Sequence, residues 1–347
     1  MCARQGHQVR LSTEAHMKRY SRLIIFLLAA SAFGEDQPRR IGEIEFFGYA
    51  GIDLNKARAA LPFQEGDEFG IEKGEENVRQ AREALGRVIG RPPTDISVGC
   101  CDHQGNWTIY IGLSGKPRRY RPRPRGAARL PVSAINLYDR YSKALPEAVQ
   151  KGVAAEDWSK GYALSEYPPL RSAQLGMRTY AVGREPLLRA VLETSADDQQ
   201  RVMAAQLLGY ARRSRSQVAA LAAASHDRNS LVRNNATRAL LVLAESDPKA
   251  ATEIPAEGFV ELLLSGTWTD LNKASLLLSS MTRSRSANVL AQLRQGEVKE
   301  RLIEIARWRT GHAEAARYLL GRLAGIDEGR LEQLIRTGKV EEIINEL

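Results

Sequence analysis

Cysteine and histidine are scarce in this sequence, with three and five copies among 347 residues. Cys100 and Cys101 are adjacent, so on a strand their side chains point to opposite faces and are poorly placed to bridge each other. A metal site built from this pair and His103 would lack a fourth ligand at a known spacing. The scarcity excludes a disulfide-built scaffold, and we assign no metal or cofactor site.

Motifs of catalysis are also absent. No HExxH, CxxC, GxSxG, P-loop or GxGxxG sequence occurs. After residue 34 the histidines other than His103 are His226 and His312, which lie far apart in the sequence. Aspartate and glutamate are scattered, and we interpret them as solvated helix positions. We therefore predict no catalytic residue, although a site formed by residues distant in the sequence stays open.

Long apolar runs are rare, and the run Leu23–Ala30 is the informative one. Basic residues precede it and small residues follow it, as in a secretory signal peptide. A start at Met17 gives a leader of normal length, so we assign residues 1–34 to an extended signal peptide cleaved after Ala32 or Gly34. We expect export to the periplasm or exterior of a bacterial cell; an uncleaved anchor in the inner membrane is the less favoured alternative, because the run is short for a bilayer.

The positive charge of the chain is local. Lysine and arginine number 50 against 41 acidic residues, which gives a net charge of +9. The first 32 residues hold five basic and one acidic residue, and Lys116–Arg129 holds seven basic residues and no acidic one. Outside these two stretches, 38 basic residues face 40 acidic ones. We therefore predict no nucleic-acid binding, since Tyr120 alone offers no stacking surface among the arginines.

Residues 37–114 carry the pattern of a small α+β domain with the order β-α-α-β-β. Asp53 is suited to cap the first helix, and alternating apolar residues indicate three strands with one face buried under two helices. The predicted elements are Ile41–Gly48, Leu54–Leu61, Ile71–Ile89, Asp95–Cys100 and Trp107–Leu113.

This domain resembles a POTRA module. The resemblance rests on the element order, on a first strand running into Phe47-Gly48, and on Leu61-Pro62-Phe63 and Gly66-Asp67 before the long helix. It implies an extracytoplasmic protein-binding module that recognises partners by adding a strand to its sheet edge. No outer-membrane barrel sequence follows, so the resemblance does not extend to barrel assembly.

Residues 115–132 form a basic linker rich in proline and arginine, which cannot form a helix or a central strand. It is interpreted either as a self-repelling spacer or as an electrostatic tether to an acidic partner or an anionic membrane surface. A helical connector, residues 133–163, follows. The candidate partner-binding arginines of the linker are Arg118, Arg119, Arg121, Arg123 and Arg125.

Residues 164–347 contain an internal repeat. The segment around Ala204 overlays the segment around Ala236 at an offset of 32 residues, and a helix-breaking turn follows each alanine nine residues later. Ala274 and Ala316 show the same turn spacing. Each unit reads as two antiparallel helices that must stack on their neighbours to bury their apolar faces, which predicts an α-solenoid. The second helices are predicted at Pro186–Glu193, Gln217–Ser225 and Asn288–Gln295.

The pattern Val-Arg-x-x-Ala-x-x-Ala-Leu at Arg233 resembles short bacterial HEAT repeats. The resemblance implies an all-α solenoid that offers a protein-interaction surface and implies no chemistry. We expect Arg201 and Arg233 to pair with an Asp or Asn of a repeat turn, Asp197 or Asn229. Two Arg-Ser-Arg-Ser turns lie at equivalent positions and supply the remaining candidate residues for an acidic partner, which are Arg213, Arg215, Arg283 and Arg285.

The sequence thus predicts a multidomain chain, a small α+β domain followed by an all-α solenoid. The leading hypothesis is an exported scaffold or adaptor that binds protein partners in the cell envelope through the solenoid surface and the sheet edge. Two alternatives remain open: a secreted enzyme or enzyme accessory with a site on the concave face of the solenoid, and a signal-anchored component of an envelope complex.

Overall fold

A computed structural model describes residues 40–69, 71–100, 102, 104–113 and 120–347. Outside the described residues lie the predicted signal peptide and Cys101, His103, Arg118 and Arg119. The described chain is mostly helical and carries one three-stranded and one two-stranded sheet. A small α+β part followed by an all-α region agrees with the predicted fold class.

The α+β part has the predicted element order. β3 lies in the middle of the three-stranded sheet, parallel to β1 and antiparallel to β2. Asp53 caps the first helix by accepting hydrogen bonds from the backbone N–H groups of Asn55 and Lys56, as predicted. The elements are β1 (Ile41–Phe47), α1 (Leu54–Ala59), α2 (Ile71–Ile89), β2 (Asp95–Cys100) and β3 (Trp107–Gly112).

Both faces of this sheet are buried. Ile109 and Ile111 of β3 join a core with the two helices of the α+β part. Tyr110 points to the opposite face and belongs, with Phe47, to the core of the helical region. The expectation of a single buried face was therefore wrong, because the second face packs on the rest of the chain.

The all-α region begins with α3 (Val132–Gln150) and a short hairpin of β4 (Glu156–Asp157) and β5 (Leu164–Ser165). In the described part of the chain no helix combines the length and the apolar character needed to cross a membrane. The helices that follow are α4 (Pro168–Val182), α5 (Glu185–Thr194), α6 (Asp198–Leu208), α7 (Arg215–Ala224), α8 (Ser230–Ser246), α9 (Pro248–Glu253), α10 (Glu257–Leu263), α11 (Trp268–Met281), α12 (Ala287–Leu293), α13 (Gly296–Ala306), α14 (Glu314–Ala324), α15 (Glu328–Arg336) and α16 (Val340–Asn345).

These helices form a stack of two rows, hereafter the helical stack. In the first row α4, α6, α8, α11 and α14 pack in succession. In the second row α5 packs on α7, and α10 packs on α12 and α13. Small residues allow close approach, since a Cβ on Gly209 would lie 2.9 Å from that of Ala239. The stack is solenoid-like, as the repeat predicts.

Two buried arginines link successive repeats. The guanidinium of Arg201 donates from Nε to Asp227 at 2.8 Å and from Nη2 to the second oxygen of the same carboxylate at 3.0 Å. Arg233 bonds Asp270 in the same way, with Nη2 at 2.7 Å from Oδ2. Each arginine also donates Nη1 to the carbonyl six residues before it, Ser195 or Asp227.

The kind of pairing was predicted, but the partners were not. Asp197 and Asn229, the expected partners, instead cap α6 and α8 by accepting bonds from backbone N–H groups. These short side chains accept hydrogen bonds from the first N–H groups of the helices that follow them, so they do not pair with the arginines. The arginines therefore reach forward to the following repeat.

Residues 120–130 of the linker pack along the turns between repeats. Gly126 exchanges backbone bonds of 2.8 Å with Thr194 and Ala196, and Leu130 donates its N–H to Gln200 at 2.6 Å. Arg129 pairs with Asp197 at 2.7 Å. The segment has no helix, as predicted, but over these residues it is not a free spacer or tether.

The α+β part is held to the helical stack by three carboxylates that accept backbone N–H groups. Glu304 accepts from Gly48 at 2.7 Å and from Tyr49 at 3.2 Å. Asp95 accepts from Trp268 at 2.8 Å, and Glu45 accepts from Arg309 at 2.7 Å. The two parts of the chain therefore form one packed body through specific bonds.

Burial shifts the acidity of these three groups. It raises the pKa of Glu45 to about 7 and the pKa of Asp95 to about 6, and it raises the pKa of Glu304 above its ordinary value. In each case the loss of hydration outweighs the accepted hydrogen bond, which acts in the opposite direction. The bonds between the two parts are therefore sensitive to pH.

Candidate functional site

The second row of helices opens between α7 and α10, where it leaves a groove of about 740 Å³, hereafter the α7–α10 groove. Its floor is formed by Val218, Ala219 and Ala222 of α7 together with Phe259 of α10. Because alanine is short, this face of α7 does not fill the space to its neighbour. The volume lies within the range of natural ligand pockets.

The walls of the groove carry charges of opposite sign. Arg121 and Arg215 line it, and so do Glu253, Glu257 and Glu261. All five side chains are exposed at the surface. The two glutamates of α10 are four residues apart and therefore lie on one side of that helix. A bound segment would thus meet cations and a row of carboxylates in the same groove.

Arg121 and His226 define one end of the groove. The N–H of Arg121 donates to the carbonyl of His226 at 2.9 Å, which fixes the linker beside the end of α7. A Cβ on Gly258 would lie 2.8 Å from Nε2 of His226. Glycine at this position thus permits the imidazole to lie against α10.

Arg215 is placed by the start of α7. Ser214 caps this helix through a bond of 3.0 Å from the N–H of Gln217 to its hydroxyl. Arg215 is then the first residue of the helix, and its exposed side chain lines the groove. The linker and the first Arg-Ser-Arg-Ser turn, which are distant in sequence, thus contribute one predicted residue each to the same site.

The other linker arginines lie elsewhere. Arg123 donates Nε to the carbonyl of Ala196 at 3.0 Å and lies 3.6 Å from Asp198. Arg125 is exposed. Arg118 and Arg119 lie outside the described residues.

The other arginines of the two Arg-Ser-Arg-Ser turns form ion pairs with acidic residues of this chain. Arg213 pairs with Asp247, and Arg283 pairs with Glu245 at 2.8 Å. Arg285, in the left-handed region with φ of 52°, donates to the carbonyl of Ile326 and to Glu328. These pairs join neighbouring turns of the stack.

The acidic wall was missed at the level of sequence. The spacing of Glu257 and Glu261 was a signal that these two residues share one side of a helix, whereas Glu253 ends α9 and its place beside them follows only from the fold. We interpreted such residues as solvated helix positions, since nothing in the sequence places α10 opposite α7.

Comparison with known proteins adds little. No family model and no curated protein matches the sequence. An engineered protein solved by the Northeast Structural Genomics Consortium aligns with 63% of this chain and 89% of its own, at 17% sequence identity and a TM-score of 0.36. A likeness at that score carries no argument.

Proposed function

We propose that the protein is an exported scaffold that binds a protein partner in the α7–α10 groove. The observation that carries this proposal is the pairing of an apolar floor with walls of opposite charge. The floor favours burial of apolar side chains, and the walls favour a segment that carries both signs of charge in a fixed direction.

The sheet edge is the second surface that the sequence predicts for the same scaffold role. The outer side of β1 is covered, because Ile41 exchanges backbone bonds of 2.8 and 2.7 Å with Asp67 and Gly66. β2 is the other edge of the sheet, and no further described strand pairs with it. Strand addition at β2 is what the resemblance to POTRA modules implies, but Ile96, Ser97 and Val98 are 2%, 0% and 3% exposed. An added strand would therefore first have to displace the residues that cover this edge.

The envelope location rests on the predicted signal peptide, and the scaffold role also rests on the resemblance to HEAT repeats. Residues 120–130 act in this proposal as part of the binding surface, because they carry Arg121 to the groove. This role replaces those of a self-repelling spacer and of an electrostatic tether.

A photo-crosslinking amino acid at Ala219, an exposed residue on the groove floor, tests the proposal in cells. We expect a discrete crosslinked protein that disappears when Arg215→Glu is added. The same amino acid at Ala287, exposed on α12, is the matched control and should not capture that protein.

Equal capture from both positions, or capture that Arg215→Glu leaves unchanged, would exclude the groove as the binding site. Fractionation of the same cells separates a released form from an anchored form. Turnover of a substrate by the purified protein, with no captured partner, would favour the enzyme alternative.

A further inference from the structure

The α7–α10 groove interrupts the second row of the helical stack. In that row α5 packs on α7, and α10 packs on α12 and α13, whereas α7 and α10 pack little against each other. The space between these two helices is the cavity of about 740 Å³. One position in a row of packed helices is therefore open to another molecule.

One face of α7 lines the groove from end to end. The helix has 10 residues and is therefore about 15 Å long. Arg215 begins it, and the N–H of Arg121 is bonded to His226 just beyond its end. The two arginines thus mark the two ends of a largely apolar face. Its lining residues, spaced as on one side of a helix, are Arg215, Val218, Ala219, Ala222 and Ala223.

The carboxylates of the opposite wall are not neutralised by the described part of the chain. No ion pair joins Glu253, Glu257 or Glu261 to a cation among the described residues, and all three side chains are exposed. Glu257 and Glu261 are separated by one turn of α10 and share one side of it. These carboxylates are therefore available to cations of a bound partner.

The lining of the groove favours a helix over an extended segment. None of the described lining residues lies in a strand, so the groove offers no sheet edge to an added strand. The N–H and C=O groups of an extended segment buried on the floor would be left unpaired, whereas a helix satisfies its own. Because alanine side chains are short, the axes of α7 and a bound helix can come close to each other.

We propose that the groove binds an amphipathic helix of the partner, about three turns long, which carries an apolar stripe, two basic residues four positions apart and an acidic residue near each end. The stripe packs on α7, the basic pair faces Glu257 and Glu261, and the acidic ends meet Arg121 and Arg215. This inference rests on the proposed function and adds the kind of segment that the partner presents.

Selection from a displayed library of random segments, each about 14 residues long, on the purified full chain tests the proposal. Segments that also bind Ala219→Trp, in which a large ring fills the groove floor, are removed. We expect the enriched segments to share apolar residues at helical spacing and a pair of lysines or arginines four positions apart. A proline placed in the middle of the best segment should abolish binding, because it breaks a helix.

Reversal of the acidic wall tests the charge pattern separately. Glu257→Lys combined with Glu261→Lys should weaken binding of the best segment about tenfold, because each change replaces an attraction between exposed charges by a repulsion. A segment with its basic pair replaced by glutamates should recover that loss on the double variant. Glu332→Lys, at an exposed glutamate of α15, is the matched control and should leave the dissociation constant unchanged. Fluorescence anisotropy of the labelled segment measures all four.

The possible outcomes distinguish this inference from the proposed function. Enriched segments with apolar residues at every second position, or without a basic pair, would overturn the charged helix and leave the groove as a binding site. An affinity that the double reversal does not change would do the same. If no segment is enriched, this inference is wrong, and crosslinking from Ala219 then decides whether the proposed function stands.

Discussion

Arg233 and Asp270 illustrate how single residues hold neighbouring repeats together. Their side chains are 2% and 1% exposed, and the aspartate also accepts a bond of 2.7 Å from the hydroxyl of Ser265. A buried ion pair of this kind contributes little relative to an apolar pair of the same shape, but removing one partner leaves a buried charge. The pair therefore fixes the position of α11 relative to α8.

Asp270→Asn is expected to lower the free energy of unfolding by about 3 kcal/mol, because the guanidinium of Arg233 stays buried without its counterion. Arg213→Ala removes an ion pair that is 36% and 38% exposed, so it should cost less than about 1 kcal/mol. Urea unfolding of the full chain measures both. A cost for Asp270→Asn as small as that of Arg213→Ala would contradict this account.

The pairing of individual side chains was partly predictable from the sequence. The repeat pattern predicted that Arg201 and Arg233 pair with an Asp or Asn of a repeat turn. Both pair with an aspartate, Asp227 in a turn and Asp270 in the first turn of α11. The partners were not predictable, because α9 lengthens the interval between α8 and α11. Arg201 reaches 26 residues ahead to Asp227, whereas Arg233 reaches 37 residues ahead to Asp270.

At the scale of elements, contact between helices depends on glycine at one helix end. Gly209→Ala is expected to destabilise the protein by about 1–3 kcal/mol, because the new methyl group would crowd Ala239. Gly183, at the end of α4, has nothing within 4 Å of a built Cβ. Gly183→Ala should therefore change the free energy of unfolding by no more than about 0.5 kcal/mol. Urea unfolding measures both variants, and an equal loss of stability in the two would contradict crowding at Gly209.

The docking of the linker is a second prediction for an element. A Cβ on Gly126 would lie 2.6 Å from the carbonyl oxygen of Thr194, so Gly126→Ala should release the segment from the turn. Trypsin should then cleave after Arg125 and Arg129 faster than in the wild type. Ala127→Val, a larger change at the exposed neighbouring residue, is the control and should leave cleavage slow. Fast cleavage of the wild type would show that the segment is not docked.

Helices were predicted to within two residues or so where the repeat was regular. The second helices expected at Pro186–Glu193 and Gln217–Ser225 are Glu185–Thr194 and Arg215–Ala224. The α7–α10 groove could not be predicted, because it forms only where the linker, α7 and α10 meet in space. Periodicity describes one helix at a time and does not report the gap between two of them.

At the scale of the whole molecule, the docking of the α+β part should weaken as pH rises. Because burial raises the pKa of Glu45 from 4.5 to about 7, its stabilising contribution is complete below about pH 4.5 and is lost as pH rises through 7. Glu45→Gln mimics the protonated form and can still accept the N–H of Arg309.

Denaturant unfolding between pH 4.5 and 8 measures this effect. The wild type should lose stability relative to Glu45→Gln across that interval, and the difference should level off above pH 7. Parallel curves for the two proteins would contradict the raised pKa of Glu45. Asp95 and Glu304 are present in both proteins, so their titration does not alter the comparison.

The bond between Gly48 and Glu304 joins positions 256 residues apart in the chain. During synthesis from the N-terminus, the strands of the sheet emerge first, yet Trp268 and Trp308, which contact Tyr110 and Phe47, are translated much later. Tyr110 must stay uncovered until Trp268 of α11 is made, and Phe47 until Trp308 is made after α13. We therefore expect a late, slow folding step and a nascent chain that needs protection from aggregation until the helices that cover the sheet have been made.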